Sequence, residues 1–315
     1  MVRTYHMNVK PWLSIFLFCF LVMGAASPSQ AKVKSSRFSY QEQSYLIGLM
    51  KQQGFQDAFL KKVFRDKRLK KIPAVTRKNV INKENKRNYE NFYSPYSISL
   101  AHRFSKRWRT VLGRASRKFQ VDQEVLVAIL LIETSFGNIL GRHPVIAVFS
   151  SILVENQQKN HSSFKPKELS ELEIYRLQRL QKKADWAAVE LVALLKILQK
   201  SGDTSKQLKG SYAGAFGIPQ FLPSSYLKWG YDSDNNGSVN LFWFPDAIYS
   251  TANYLKAHGW KKGLHLESNR DVIWDYNHSQ TYVDTVLTVA KKVAQISKRK
   301  SKARRKYVAA GILEY

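Results

Sequence analysis

The chain has 315 residues, 44% of them hydrophobic, with 51 Lys and Arg against 23 Asp and Glu, a formal charge of +28. That length and apolar content support one large domain or two modest ones with a real core, and Cys19, the only cysteine, excludes a disulfide-stapled miniature. The charge favours polyanions: nucleic acid, anionic lipid, or a cell wall carrying carboxylates and phosphates.

Residues 1–31 read as a secretory signal. Arg3 and Lys10 precede the apolar run from Trp12 to Gly24, and Ser29, Gln30 and Ala31 offer small residues for cleavage. The run is short for a membrane span of ~20 residues, with an uncleaved anchor as the alternative, and Phe18 ahead of Cys19 argues against lipidation. Cleavage would leave a thiol-free periplasmic protein of charge +26, and export argues against nucleic acid as the partner.

Residues 32–97 are expected to form an N-terminal helical region. Apolar residues at helical spacing from Tyr40 to Leu69 predict two short helices broken at Gly54, Pro73 is expected to end that unit, and Arg77 to Asn91 is polar enough to read as an exposed connection. A core is expected from residue 98 to 290, opening with a helical stretch from Ile98 to Phe119. The next stretch, Val121 to Gly137, reads VDQEVLVAILLIETSFG. Asp122 suits a helix start, eight consecutive apolar residues run from Val125 to Ile132, and Gly137 suits a stop, which predicts one buried helix. Glu133 lies in its last turn. Apolar neighbours and the negative end of the helix dipole both disfavour an anion there, as a general acid requires; the plain alternative is a core or surface Glu satisfied by a hydrogen bond.

Further along, Val145 to Val154 is an apolar run that suits a helix or a strand. Leu169 to Gln199 is strongly helical, with Leu191, Val192, Leu194, Leu195 and Leu198 on its core face. Asp246 to His258 and Thr281 to Ile296 predict two more helices. Lys291 to Lys306 holds nine Lys or Arg and no acid, so residues 291–315 read as a basic tail resting on an anionic wall or membrane surface. With no repeat and no long alternating segment, the chain is expected to be mainly α with little sheet.

Residues 210–226, GSYAGAFGIPQFLPSSY, carry glycines at 210, 214 and 217 that would let backbone approach a ligand closely, with Ser211 and Gln220 as polar contacts. An ordinary turn cluster is the alternative. No GKS or GKT follows, so nothing supports a phosphate loop. Aromatics favour a sugar: 15 of the 72 residues from 211 to 282 are Phe, Trp or Tyr against 13% for the chain, and such rings stack on sugars as readily as they fill cores. About a third of them are expected to line a groove. Asp232 to Asp246, DSDNNGSVNLFWFPD, begins like a calcium loop, with Asp232, Asp234 and Asn236 at positions 1, 3 and 5 and Gly237 at 6. Trp243 at position 12 cannot be a ligand; Asp246 would close a loop of 15, and a metal-free turn is the alternative. The histidines are too scattered for zinc.

Four segments in order, ETSFG (133–137), KGSYAGAFGIPQFLPSSY (209–226), NYLKAHGW (253–260) and DYNHSQTYV (275–283), resemble the lytic murein transglycosylase B family, and the resemblance runs from about Tyr40 to Ala290. It implies a lysozyme-like catalytic core that cleaves peptidoglycan. By it Glu133 falls on the family's catalytic acid, Ser211 on the serine that helps orient it, and Gln220, Phe221, Tyr254, Tyr276, Asn277 and Tyr282 on positions lining the sugar groove. It also implies an EF-hand-like calcium site at the acidic loop, where Asp232, Asp234, Asn236, Ser238 through its carbonyl, and Asp246 would hold a structural Ca2+; no organic cofactor is expected, and the protein is expected to be a monomer. Phe136, Phe216 and Leu222 depart from the family's usual residues. One acid suffices for this chemistry, because the C6 hydroxyl of the same N-acetylmuramyl residue attacks intramolecularly and leaves a 1,6-anhydromuramyl end. A hydrolytic muramidase with a second acid and a non-catalytic peptidoglycan-binding protein are the alternatives.

Overall fold

The computed structural model describes residues 35–309 apart from 82–85, 162–168, 203–207 and 264. The expected signal at 1–31 lies outside the described residues. The fold is mainly helical, as expected. Helix α1 (Tyr40–Lys51) starts at a capping box in which Ser39 and Glu42 satisfy each other's backbone N–H. Gly54, at φ +87°, turns the chain into α2 (Asp57–Phe64). Pro73 opens a helix rather than ending the unit: α3 spans Pro73–Ile81, since proline's missing N–H costs nothing in a first turn. The polar stretch after it is not a bare connection either. A 3-10 turn, Lys86–Tyr93, buries Tyr89 and Phe92, three residues apart on one side, and Tyr93 shares a 2.9 Å hydrogen bond with Thr285.

The stretch expected as one helix to Phe119 is two, α4 (Pro95–Arg107) and α5 (Arg109–Phe119). Trp108 leaves helical geometry between them and packs its ring on Phe244. Helix α6 (Gln123–Thr134) is buried at every residue from Val125 to Thr134, and α4, α5 and two later helices, Phe244–Ala257 and Gln280–Ala309, surround it. Asp122 precedes it, but its carboxylate accepts from the Trp260 indole instead of capping. The helix stops two residues before Gly137, at a left-handed Ser135.

A two-residue antiparallel pair, β1 (His143–Pro144) with β2 (Lys209–Gly210), is the one sheet among the described residues. The apolar run after β1 is helix α7 (Val145–His161), packed along α8 (Glu171–Ser201). Short α9 (Pro223–Trp229), α10 (Phe244–Ala257), a 3-10 turn (Leu266–Asn269), α11 (Arg270–Tyr276) and α12 (Gln280–Ala309) complete the chain. The basic segment to residue 309 therefore continues α12 as helix. One hydrophobic cluster runs from Phe38 to Val293, so α1–α3 share the core that holds α6. No helix among the described residues is long and apolar enough to cross a membrane.

Candidate active site

Glu133 is 3% exposed in the last turn of α6, directly after the buried apolar run from Val125 to Ile132. Its Oε1 accepts a 2.7 Å hydrogen bond from the Tyr282 hydroxyl, which the first turn of α12 delivers fully buried. The expected position in the last turn of a buried helix is present.

The glycine loop lies against this turn. Thr134 Oγ1 donates to the Ile218 carbonyl at 2.8 Å, and Ile218 side-chain atoms lie 3.5 Å from where a Cβ on Gly137 would stand. Ser211 shapes the loop's entry: its N–H donates to Ala215 O, and its hydroxyl accepts from the N–H groups of Ala213 and Ala215. Phe216 and Phe221 exchange backbone hydrogen bonds at 2.9 and 3.1 Å, closing a tight reversal over Gly217 to Gln220. The glycines serve the protein's own packing, contrary to the expected ligand approach. A Cβ on Gly210 would stand 2.2 Å from Ala215 O, on Gly214 2.3 Å from the Phe149 ring, and on Gly217 2.4 Å from Leu241 Cβ.

All six groove candidates are buried, Gln220 and Phe221 within the loop itself. Gln220 is 1% exposed and donates to Gly217 O, and Asn277 is equally buried. Phe221 packs on Tyr254 and Tyr276 at 5.8 and 6.1 Å. The Tyr254 hydroxyl donates to Asp275 O, and burial, with Asp275 beside it, raises its pKa further above the phenol range. Tyr276 donates to Pro219 O at 2.6 Å and lies parallel to Tyr282. Phe221, Tyr254, Tyr276 and Tyr282 thus form a buried aromatic wall at the loop. Phe242, Trp243 and Trp274, each more than a third exposed, present ring surface to solvent in this half.

Sequence reasoning missed two residues. Thr134, between the acid and the loop, carried no signal beyond its place in ETSFG. Glu190 of α8 is 2% exposed and accepts from both the N–H and the hydroxyl of Ser224, capping α9 just after the loop. Burial raises its pKa against those two bonds. One acid inside the apolar face from Trp186 to Leu198 was the available clue.

The acidic loop brings Asp232, Asp234 and Asp246 together, with carboxylate oxygens all within 4.8 Å of one another. Asp246, fully buried at the head of α10, accepts from the backbone of Ser233 and Asn240. Burial works upward on Asp232, but bonds from Gly237 N–H, Asp234 and Asn236 N–H outweigh it and lower its pKa. Asn236 turns its Oδ1 to the N–H and hydroxyl of Ser238. Converging carboxylates of this kind suit a hard cation such as Ca2+.

A transglycosylase SLT domain matches residues 40–268. The membrane-bound lytic murein transglycosylase B of Escherichia coli K12 is 32% identical over 173 residues, 55% of this chain and 41% of that protein, so the match spans about two fifths of the relative's length. Among solved structures, E. coli Slt35 in complex with bulgecin A superposes with a TM-score of 0.66 at 23% identity, covering 81% of this chain and 93% of that one. The same protein in complex with calcium gives 0.64 at the same identity and coverage. Pseudomonas aeruginosa SltB3, in complex with NAG-anhNAM-pentapeptide, gives 0.64 at 20% identity, covering 81% and 78%. The fold is that of the lysozyme-like lytic transglycosylases, and since the SLT domain matches most of its length, the chain belongs to the transglycosylase SLT-domain family.

Proposed function

We propose that the protein is an exported lytic transglycosylase that cleaves the β-1,4 bond between N-acetylmuramyl and N-acetylglucosaminyl residues of peptidoglycan. The observation that carries this reading is the buried Glu133, held by Tyr282 at a helix C-terminus against the glycine loop. The three other buried acids among the described residues have donors of their own. Glu42 accepts from Lys71 and Gln158, Glu190 from Ser224, and Asp246 from Ser233 and Asn240. Of the four, only Glu133 lies in the last turn of a helix, and one acid in that setting suits a reaction with an internal nucleophile better than a two-carboxylate hydrolysis.

Glu133 donates its proton to the glycosidic oxygen as the C1–O bond breaks. The C6 hydroxyl of the muramyl residue then bonds to C1 and returns its proton to the Glu133 carboxylate, giving a 1,6-anhydromuramyl end without consuming water. The loop that carries Ser211, Gln220 and Phe221 would meet the glycan, with Tyr254, Tyr276 and Tyr282 supporting it from behind. Asp232, Asp234 and Asp246, with Asn236 and the Ser238 carbonyl, would hold Ca2+, which would brace the loop ahead of α10; the relative solved with calcium supports this reading. The basic end of α12 rests on the anionic wall or membrane. The enzyme acts as a periplasmic monomer on glycan strands, not on nucleic acid.

Mass spectrometry of muropeptides released from purified sacculi tests the proposal. Anhydro ends are expected from the wild type and no release from Glu133→Gln. Reducing ends would make the protein a hydrolase, and an active Glu133→Gln would remove the acid from its role.

A further inference from the structure

The residue following the acid occupies an unusual position. Thr134 is fully buried, and its hydroxyl works in both directions: it donates to Ile218 O at 2.8 Å and accepts from Gly137 N–H at 2.9 Å. A threonine on a helix ordinarily bonds the carbonyl four residues back. That carbonyl, Leu130 O, accepts from Phe136 N–H. The hydroxyl instead crosses to the loop.

Both sides of the crossing are turned the same way. Ser135, Phe136 and Gly137 follow with φ of +48°, +57° and +81°, and Gln220 sits at +52° across the seam. Non-glycine residues hold such conformations only where their surroundings over-determine them, and these residues are held. Phe136 stacks on Phe104 at 4.0 Å and 9°, and the Asn138 side chain donates to Ser135 O. On the loop side, Tyr276 donates to Pro219 O, the carbonyl next to the one Thr134 takes. The Tyr276 ring lies parallel to that of Tyr282, 6.3 Å away, and Tyr282 donates to Glu133. The contacts close a circuit. It runs from the Glu133 carboxyl through Tyr282, Tyr276, Pro219 and Ile218 to Thr134, and back along the chain to Glu133.

We propose that Thr134 is a positioning residue for Glu133: its hydroxyl, through Ile218 O, sets the spacing between the acid and the loop that carries Gln220 and Phe221. Tyr276 supports the neighbouring carbonyl in the same way. This rests on the reading of Glu133 as the acid. Small displacements of a reacting group cost far more in turnover than in binding, so the hydroxyl should be felt in kcat.

Thr134→Val removes the hydroxyl at similar volume, and Thr134→Ser keeps it. With purified glycan strands, Thr134→Val is expected to lower kcat between about tenfold and a hundredfold. KM should stay within about twofold, and Thr134→Ser should restore kcat to within about threefold of wild type. Tyr276→Phe, which keeps the ring, is an independent arm if Thr134→Val folds poorly, and it should also lower kcat at constant KM. Wild-type kcat in Thr134→Val, or losses in both Thr134 variants that only follow the folded fraction by circular dichroism, would overturn the proposal while leaving Glu133 as the acid. An active Glu133→Gln, by contrast, would strike the acid itself.

Discussion

Two buried glutamates sit in surroundings that differ in a way that would suit one to proton transfer and the other to structure. Glu133 and Glu190 are 3% and 2% exposed, both on core helices, and both accept from a hydroxyl. Glu190, however, faces the start of α9, where backbone N–H groups point outward and welcome an anion. Glu133 sits at a helix end whose carbonyls repel one, and beside a loop rather than a cap. Burial is common to the two; the sign of the nearest helix end and the neighbouring backbone differ.

The largest test of this contrast exchanges each carboxyl for an amide. Glu133→Gln is expected to lose turnover by about a thousandfold or more with its melting temperature held, since the amide oxygen can still accept from Tyr282 but the amide has no acidic proton to transfer. Glu190→Gln should lose stability by roughly 1–2 kcal/mol because an amide cannot accept from both Ser224 donors, with turnover per folded molecule kept. Equal kinetic damage from both would erase the distinction.

Next in size is the loop that Glu133 faces. Gly210→Ala drives a Cβ to 2.2 Å from a backbone oxygen and should cost roughly 2–4 kcal/mol in chemical denaturation, more than an alanine at solvent-facing Gly54. A third test uses pH. Burial works upward on Glu42, but Lys71 and Ser39 outweigh it, so its folded pKa is lowered. Its stabilisation is therefore present above the ordinary glutamate pKa and lost as pH falls through the lowered value. Glu42→Gln should cost about 1–3 kcal/mol at neutral pH, and the difference should vanish in acid. Glu190 runs oppositely. Its raised pKa makes wild type most favoured over Glu190→Gln at low pH, with the advantage shrinking as pH rises through that value. Thermal melts across pH 3–8 separate the two. The smallest effect is expected at the acidic loop: Ca2+ should raise the melting temperature of wild type by a few degrees and leave Asp246→Asn unmoved.

Much of this was legible in one dimension. Glu133 stood out because a charged residue closing eight apolar ones has few explanations, and α8 was read well because its apolar spacing is regular. What escaped depended on partners distant in sequence. Trp108 breaks α4 from α5 by packing on Phe244, 136 positions away, and Pro73 could be an end or a beginning until α7 and α8 covered its helix. The aromatic excess after residue 211 was visible as composition, but whether a ring faces sugar or core depends on which backbone it touches. Tyr276 touches Pro219 O, so it supports the loop from behind.

Helix α12 joins two ends of the molecule. It begins beside Tyr282, whose hydroxyl holds the acid, and runs unbroken to residue 309. At 1.5 Å per residue, Lys306 stands on the order of 36 Å along the rod from Tyr282. Any charged layer that grips the far end would therefore set a fixed standing height for the cleft above it, like a lamp on a rigid post.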